Sequence, residues 1–416
     1  MINVFYKISK RSFAKSFLFI FFLKSLIYPV FASENSSFEQ IIMREISRDV
    51  SFNAWGGSLA TNQYIQWVAG RVKEKYGIIL RHVKLTNTSQ AVSRILAEKI
   101  AGKTEKGSVD LLWINGENFS RMKGTGLLQT NGWANELPAF RYVNPEKMPD
   151  TVFDFGIPTD GLESPWGRAQ FVFGYNSKKI KAPPRSASEL EAWIKMNPGK
   201  FTYPQPPDFI GTSFLKQLLI QLVDDKDALY QSSSNSDATH LLKPLWEWLN
   251  KTHPFMWRNG TIFPSGGSHL LRLLGDGEID IAMSFNPAEF AYAVEQEILS
   301  KEVKSFIFDE GSLANVHFVT IPFNATSPDA AKIVANFLLS PEAQVRKANI
   351  KFWGDPTVLD INKLPEEFKM NFRQLPVHQS MLSPEELQNI VPEPHPSWVE
   401  VIEEEWQKNY ATGGKK

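Results

Sequence analysis

The chain has no cysteine among its 416 residues. That excludes disulfide bridges, thiolate metal sites, a cysteine nucleophile and lipid attachment through an N-terminal Cys. An excess of either charge is also missing, since 45 Lys and Arg balance 45 Asp and Glu. No basic stripe suggests a nucleic-acid partner. After residue 32 no apolar run approaches the ~20 residues that a membrane span requires, so no stable membrane insertion is expected. Enzyme signatures are equally scarce: there is no HExxH, no GxSxG, and no Rossmann or P-loop glycine pattern. Ser213-Phe-Leu-Lys216 matches SxxK but lacks SDN and KTG partners. The seven His are scattered, with no pair at ligand spacing on a helix. The sequence therefore assigns no catalytic residue, no metal ligand and no cofactor.

What is present is core-forming material. The chain is 43% hydrophobic and holds twelve Trp and thirty Phe, which argues against disorder and for two or three compact units. The first 32 residues differ. Lys7, Lys10, Arg11 and Lys15 precede the apolar run Phe17 to Leu23, and Val30-Phe31-Ala32 offers small residues at positions −3 and −1 of a cleavage site. This predicts a secretory signal cut after Ala32. Its removal takes away five Lys and Arg and leaves 40 basic against 45 acidic residues, a net charge of −5. An exported chain without lipid attachment fits the periplasm of a Gram-negative cell, with secretion into the medium as the alternative.

Past this leader, strands and helices alternate. Val50 to Trp55 predicts a buried strand, followed by a helix from Leu59 to Tyr76 that stops at Gly77. Residues 78 to 85 form the next strand, and Ala91, Val92, Ile95, Leu96 and Ile100 recur at helical spacing behind a cap at Thr88 or Ser89. Val109 to Ile114 is the third strand, and this order argues for a parallel sheet covered by helices. Gln170 to Tyr175 predicts a crossover strand, after which the alternation restarts. The restart includes a helix near Ser188 to Met196, a strand from Lys200 to Tyr203, a helix from Thr212 to Val223, and one with Pro244 in its first turn. GSVDLLWINGENF (107 to 119) is echoed by GEIDIAMSFNPAEF (277 to 290). The echo suggests the same helix–turn–strand–loop unit built once in each of two lobes. Residues 315 to 325 read as a strand returning to the first lobe, and Ser327-Pro328 as the start of a helix.

In open α/β sheets, ligands gather at the carboxyl ends of the strands. Four such ends carry polar or aromatic groups here. They are Trp55-Gly56-Gly57-Ser58, the loop Asn115 to Phe119 with Glu117 and Asn118, the stretch Tyr203 to Ser213, and Ser284-Phe285-Asn286. Glycines allow close backbone approach, and helix N-termini favour an anion or a carbonyl oxygen. Any single Asn or Ser before a helix is more simply an N-cap. Together the four loops would face one another across a cleft.

AWGGS, DLLWINGENF, SPWGRAQFVFGYN, FTYPQPPDFIGTSF, GEIDIAMSFNPAEF and residues 310 to 344 carry a resemblance over roughly residues 50 to 350. The chain resembles the periplasmic solute-binding proteins of ABC importers, in the iron/thiamine/polyamine-type group and most closely its YnjB-type proteins. The resemblance implies an α/β, two-lobed, type II periplasmic-binding-protein-like fold, each lobe a mostly parallel sheet flanked by helices and joined to the other by hinge strands. The expected division is 1–32 signal peptide, 33–170 first lobe, 171–315 second lobe, and 316–416 returning to the first lobe with C-terminal helices that pack on both. It further implies a monomer that closes on a small-molecule solute and docks on an ABC permease with its ATPase. Ferric binders of this group present adjacent tyrosines, and no Tyr-Tyr pair occurs here. Trp55, Trp166, Tyr203 and Phe209 are suited to stack on a planar or cationic solute, and Glu117 or Asp208 to balance its charge. The expected site comprises these six with Gly56, Gly57, Ser58, Asn115, Asn118, Phe119, Gly211, Thr212, Ser213 and Asn286. A thiamine-like cation is the first expectation, a sugar the second and an anion the third. The rival reading is an extracytoplasmic hydrolase that uses Glu117 and Asp208 as paired carboxylates.

Overall fold

Helix Leu59–Tyr76 shows how local sequence sets the framework. Its N-cap Ser58 accepts a hydrogen bond from Thr61 N–H, and Gly77 ends it at φ 67°, donating its own N–H to Lys73 O. Tyr64, Ile65, Val68 and Val72 form the buried stripe between. The computed structural model describes residues 35–43, 49–383 and 385–411. The expected signal sequence and the cleavage site at Ala32 lie outside them. Asn35–Met43 is a short helix belonging to an N-terminal unit of residues 1–45; residues 46–416 form the other unit, to which all that follows refers. No helix among the described residues is long and apolar enough to cross a membrane.

One sheet runs in the order Ile390–Pro392, Ser312–Thr320, Leu111–Ile114, Asp49–Trp55, Ile79–Leu85, and Glu163–Gln170 also pairs with Ser312–Thr320. Its early strands pair in parallel, as the β-α-β-α-β order predicts, whereas Ser312–Thr320 runs antiparallel to both Leu111–Ile114 and Glu163–Gln170. The second sheet has the order Ile281–Ser284, Val172–Asn176, Val303–Phe306. Both of its ladders are antiparallel, not parallel as expected of that lobe. The cause is the central strand: Val172–Asn176 enters directly from the first sheet and runs against both neighbours. The strand expected over Lys200 to Tyr203 reduces to a single parallel bridge, Phe201 to Ile281. Pro204, Pro206 and Pro207 follow at once and have no N–H to extend a ladder. Pro244 lies inside helix Ala238–Thr252, not in its first turn, because Asp237 caps the helix earlier by accepting from His240 N–H.

One hydrophobic core gathers Phe173, Phe201, Phe214, Leu245 and Ile281 with Trp398, Ile402 and Trp406 from helix Ser397–Tyr410. Another gathers Val92, Leu112, Ile114, Phe119 and Phe318 with Leu339, Leu364 and Phe372. The chain passes between the regions of the two sheets at residues 170 to 172 and again between Phe306 and Ser312. The passages are tied together. Phe171 N–H donates to Leu313 O, Gln170 Nε2 donates to Ser312 Oγ, and the Gln217 side chain donates to Gly311 O and accepts from Leu313 N–H.

Candidate functional site

Strand ends and helix starts from both sheets converge on a cavity of about 860 Å³. The first sheet contributes Trp55, Ser58, Trp113, Asn115, Glu117 and Asn118, and the second lobe Asp208, Phe209, Thr212, Ser213, Asn286 and Glu289. Ser268 Oγ donates to Gly57 O at 2.7 Å, a direct contact between the two sides.

One wall is aromatic. Trp55 and Trp113 meet edge to face with ring centroids 6.5 Å apart, Trp113 and Trp353 lie 6.0 Å apart, and His317 stacks on Trp353 at 21°. All four side chains border the cavity. Gly57 permits this arrangement, because a Cβ there would stand 2.4 Å from Trp55 Cζ2. Gly167 does the same for His317 and Asp355, whose side-chain atoms would lie 1.9 and 2.3 Å from an added Cβ.

The charges of the cavity are mostly negative. Its buried cation, Lys216, is already paired: Nζ donates to Glu393 Oε2 at 2.6 Å, each side chain being 2% exposed, and Asn315 Nδ2 donates to Glu393 Oε1. The Lys216 ammonium also sits 4.7 Å above the Phe155 ring. Asp355 is likewise matched, by the fully buried Lys347 and by His317 Nε2 at 3.2 Å. Glu117, Asp208, Glu289, Glu400, Glu403 and Glu404 border the cavity and form no ion pair among the described residues. Burial pushes the Glu117 carboxyl up to about 7, against the backbone hydrogen bond and the Lys216 charge and with help from Glu403 and Glu393. Burial likewise pushes Glu289 up to about 7, Asp208 to about 6, and Glu403 upward. Asp208 has a structural task besides, since its Oδ1 caps helix Phe209–Leu222 by accepting from Ile210 and Gly211 N–H.

Of the residues expected from sequence, Trp55, Ser58, Asn115, Glu117, Asn118, Asp208, Phe209, Thr212, Ser213 and Asn286 border this cavity. Six expected residues are not on its wall. Phe119 belongs to the core built around Leu112, Ile114 and Phe318. Trp166 is fully buried behind Trp113, with centroids 4.8 Å apart. Tyr203 is fully buried, its hydroxyl bonded to His253 Nε2 and accepting from Trp406 Nε1. Gly56 donates its N–H to Leu85 O, Gly57 makes room for Trp55, and Gly211 passes so close to Pro204 O that a Cβ would reach 2.1 Å. The sequence-based site left out Trp113, Lys216, Glu289, His317, Trp353 and the helix Ser397–Tyr410. That helix carries a usable signal. Ser397-x-x-Glu400 has the capping-box form, and Trp398, Ile402 and Trp406 recur every four residues.

A profile of the family described as bacterial extracellular solute-binding protein matches residues 67–372. Protein YnjB of Escherichia coli (strain K12) is 44% identical over 381 residues, covering 92% of this chain and 96% of that protein. The spermidine/putrescine ABC transporter substrate-binding protein PotD of Streptococcus pneumoniae superposes with a TM-score of 0.57 at 16% identity, over 87% of this chain and all of that one (100%). Iron-bound HitA of Pseudomonas aeruginosa gives 0.58 at 18% identity, over 86% of this chain and 99% of that one. These two likenesses establish the two-lobed binding-protein fold. Their named cargoes differ, so the fold alone does not select a solute.

Proposed function

Because the chain belongs to the bacterial extracellular solute-binding protein family, we propose that its cavity captures a small organic cation with a planar part, thiamine-like in that combination. The observation that carries this reading is the electrostatic imbalance of the site. Six carboxylates without ion-pair partners among the described residues border an 860 Å³ space, against the exposed Arg121 and one buried ammonium, Lys216, that Glu393 already neutralises. A positive solute lowers the cost of ionising these groups together. The Trp55, Trp113 and Trp353 wall supports a planar or cationic partner through ring faces and edges.

In this reading the loaded protein hands its solute to the permease and ATPase of an ABC importer. It works as a monomer in the periplasm after cleavage near Ala32. Binding without chemistry is favoured over the hydrolase alternative because Asp208 Oδ1 is engaged by two backbone N–H groups of the helix that it caps. A spermidine/putrescine-binding protein among the structural likenesses is compatible with a cationic cargo.

The test is thermal unfolding of the mature chain against vitamins, polyamines, sugars and oxyanions. A ligand at 100 times its dissociation constant adds ~2.7 kcal/mol of stability. The reading expects the melting temperature to rise with organic cations. A rise with sugars or oxyanions alone would overturn it.

A further inference from the structure

Helix Ser397–Tyr410 lies beyond the stretch that the family profile matches, which ends at residue 372. Its apolar stripe, Trp398, Ile402 and Trp406, is embedded in the core that holds Phe173 and Phe214, and Trp406 Nε1 and Trp246 Nε1 fix it by bonds to Tyr203 and Glu405. The opposite stripe faces the cavity with Glu400, Glu403, Glu404 and Gln407. Glu403 is the half-buried member of the three carboxylates. Its Oε1 accepts from Thr212 Oγ1 at 2.7 Å, and no protein donor to its Oε2 is found among the described residues. On the other wall, Glu117 opens helix Glu117–Gly124, and its carboxyl accepts from Asn118 Nδ2 and from its own backbone N–H.

Two neighbouring groups point to a missing partner independently of charge. Ser213 is fully buried and Asn315 is 7% exposed, and both border the cavity. Among the described residues Ser213 Oγ has no hydrogen-bond partner, and Asn315 uses its amide N–H on Glu393 but leaves Oδ1 unpartnered. Buried polar atoms are normally satisfied, and an orphan at the wall of a binding cavity marks a place for a ligand atom. Two carboxylates and two neutral acceptors suit a cation with several N–H donors, and do not suit a quaternary nitrogen, which has none.

We propose that Glu403 on the C-terminal helix and Glu117 on the facing wall jointly hold an N–H-bearing cationic group of the solute, with Ser213 Oγ and Asn315 Oδ1 completing its set of acceptors. This rests on the cationic reading above and narrows it to ammonium-, amidinium- or guanidinium-like groups, setting aside a quaternary thiazolium such as thiamine's as the group held here. It also makes the C-terminal helix a specificity element. Because one carboxylate comes from each side of the cavity, the same group would draw the two walls together.

The mature chain is titrated calorimetrically with putrescine, agmatine, thiamine, tyramine and N,N,N-trimethyltyramine. At least one of putrescine, agmatine and tyramine, whose cationic groups carry N–H, is expected to bind, and E403Q and E117Q each to lower its affinity tenfold or more. Trimethylation of tyramine is expected to weaken binding by a similar factor. E247Q, on the exposed face of helix Ala238–Thr252, is the control and keeps wild-type affinity. The wild-type affinity should rise as pH passes through about 6 to 7, where Asp208, Glu117 and Glu289 ionise around the same cavity as Glu403, whose own carboxyl is raised by burial. Lys216 and Arg121 are the cations bordering it, and E403Q should flatten the rise. A fold lost in E403Q shows in its melting curve, and the pH profile of the wild type then decides. Equal binding by wild type and E403Q, or a flat wild-type profile, overturns the assignment and leaves the cationic reading standing. Binding of none of putrescine, agmatine and tyramine overturns the assignment, and a melting shift with sugars or oxyanions alone overturns both.

Discussion

Glu117 and Glu289 hold equivalent places in the two lobes. Each opens a helix just beyond a strand of its sheet, each borders the cavity, and burial pushes each carboxyl up to about 7. They are the acidic residues of the repeated stretch, Asn115-Gly-Glu117 and Asn286-Pro-Ala-Glu289. The Asp of each copy serves structure instead. Asp110 accepts from Ser51 N–H, Ser51 Oγ and Ser327 N–H, and Asp280 accepts from Lys179 Nζ.

A raised carboxyl pKa has a definite sign for stability. Glu117 favours the folded state most below its unfolded value near 4.5, and this contribution is lost as pH rises through about 7. The unliganded protein should therefore be relatively destabilised at pH 8 by the charge of Glu117. E117Q should recover on the order of 1 kcal/mol at pH 8 and nothing near pH 4. Melting curves of both proteins across that range check the crossing.

Trp55→Ala removes a half-buried indole from the cavity wall without touching either core. It should weaken solute binding by about 0.5–2 kcal/mol, or roughly 2- to 30-fold, with little change in melting temperature. Asn118→Ala removes the amide that donates to Glu117 Oε1 at 2.6 Å and should also weaken binding while the fold persists. Titration beside a melting curve separates the two effects. Unchanged affinity in both variants would move the solute elsewhere.

Gly167→Ala should be costly. Its methyl would meet His317 Nε2 and Asp355 Oδ2, and both are locked by Lys347 and the surrounding rings. A loss of about 1–3 kcal/mol is expected for forcing this overlap. Denaturant unfolding gives the number, and a neutral result would mean that His317 can swing away.

Lys216→Met strands Glu393 in a buried site and should cost about 3–5 kcal/mol. The double variant Lys216→Met/Glu393→Leu should recover much of that loss, because a matched apolar pair leaves no orphan charge. Equal instability of the single and double variants would show that Lys216 acts through packing on Phe155 instead.

Much of the frame was legible because its signals are local. Helix Leu59–Tyr76 was bounded correctly, with Gly77 as its stop, because such capping needs no distant partner. The two-lobe plan followed from the restart of the alternation, and the strand-end loops supplied ten residues of the cavity wall. What escaped depends on contacts distant in sequence. Trp166 and Tyr203 read as stacking residues, yet Trp113 and Trp406 bury them from the other side. Helix Ser397–Tyr410 reaches the cavity only because its Trp stripe docks nearly 200 residues upstream, beside Tyr203 and Phe214. Lys216 looked like half of a weak SxxK match until Glu393 was brought to 2.6 Å.

The most direct measurement is native mass spectrometry of the protein purified from the periplasm, followed by identification of the small molecule it releases. The account predicts a single low-mass organic cation with N–H donors, retained by the wild type and lost from E403Q. A sugar, an oxyanion or a metal ion recovered in its place would contradict it.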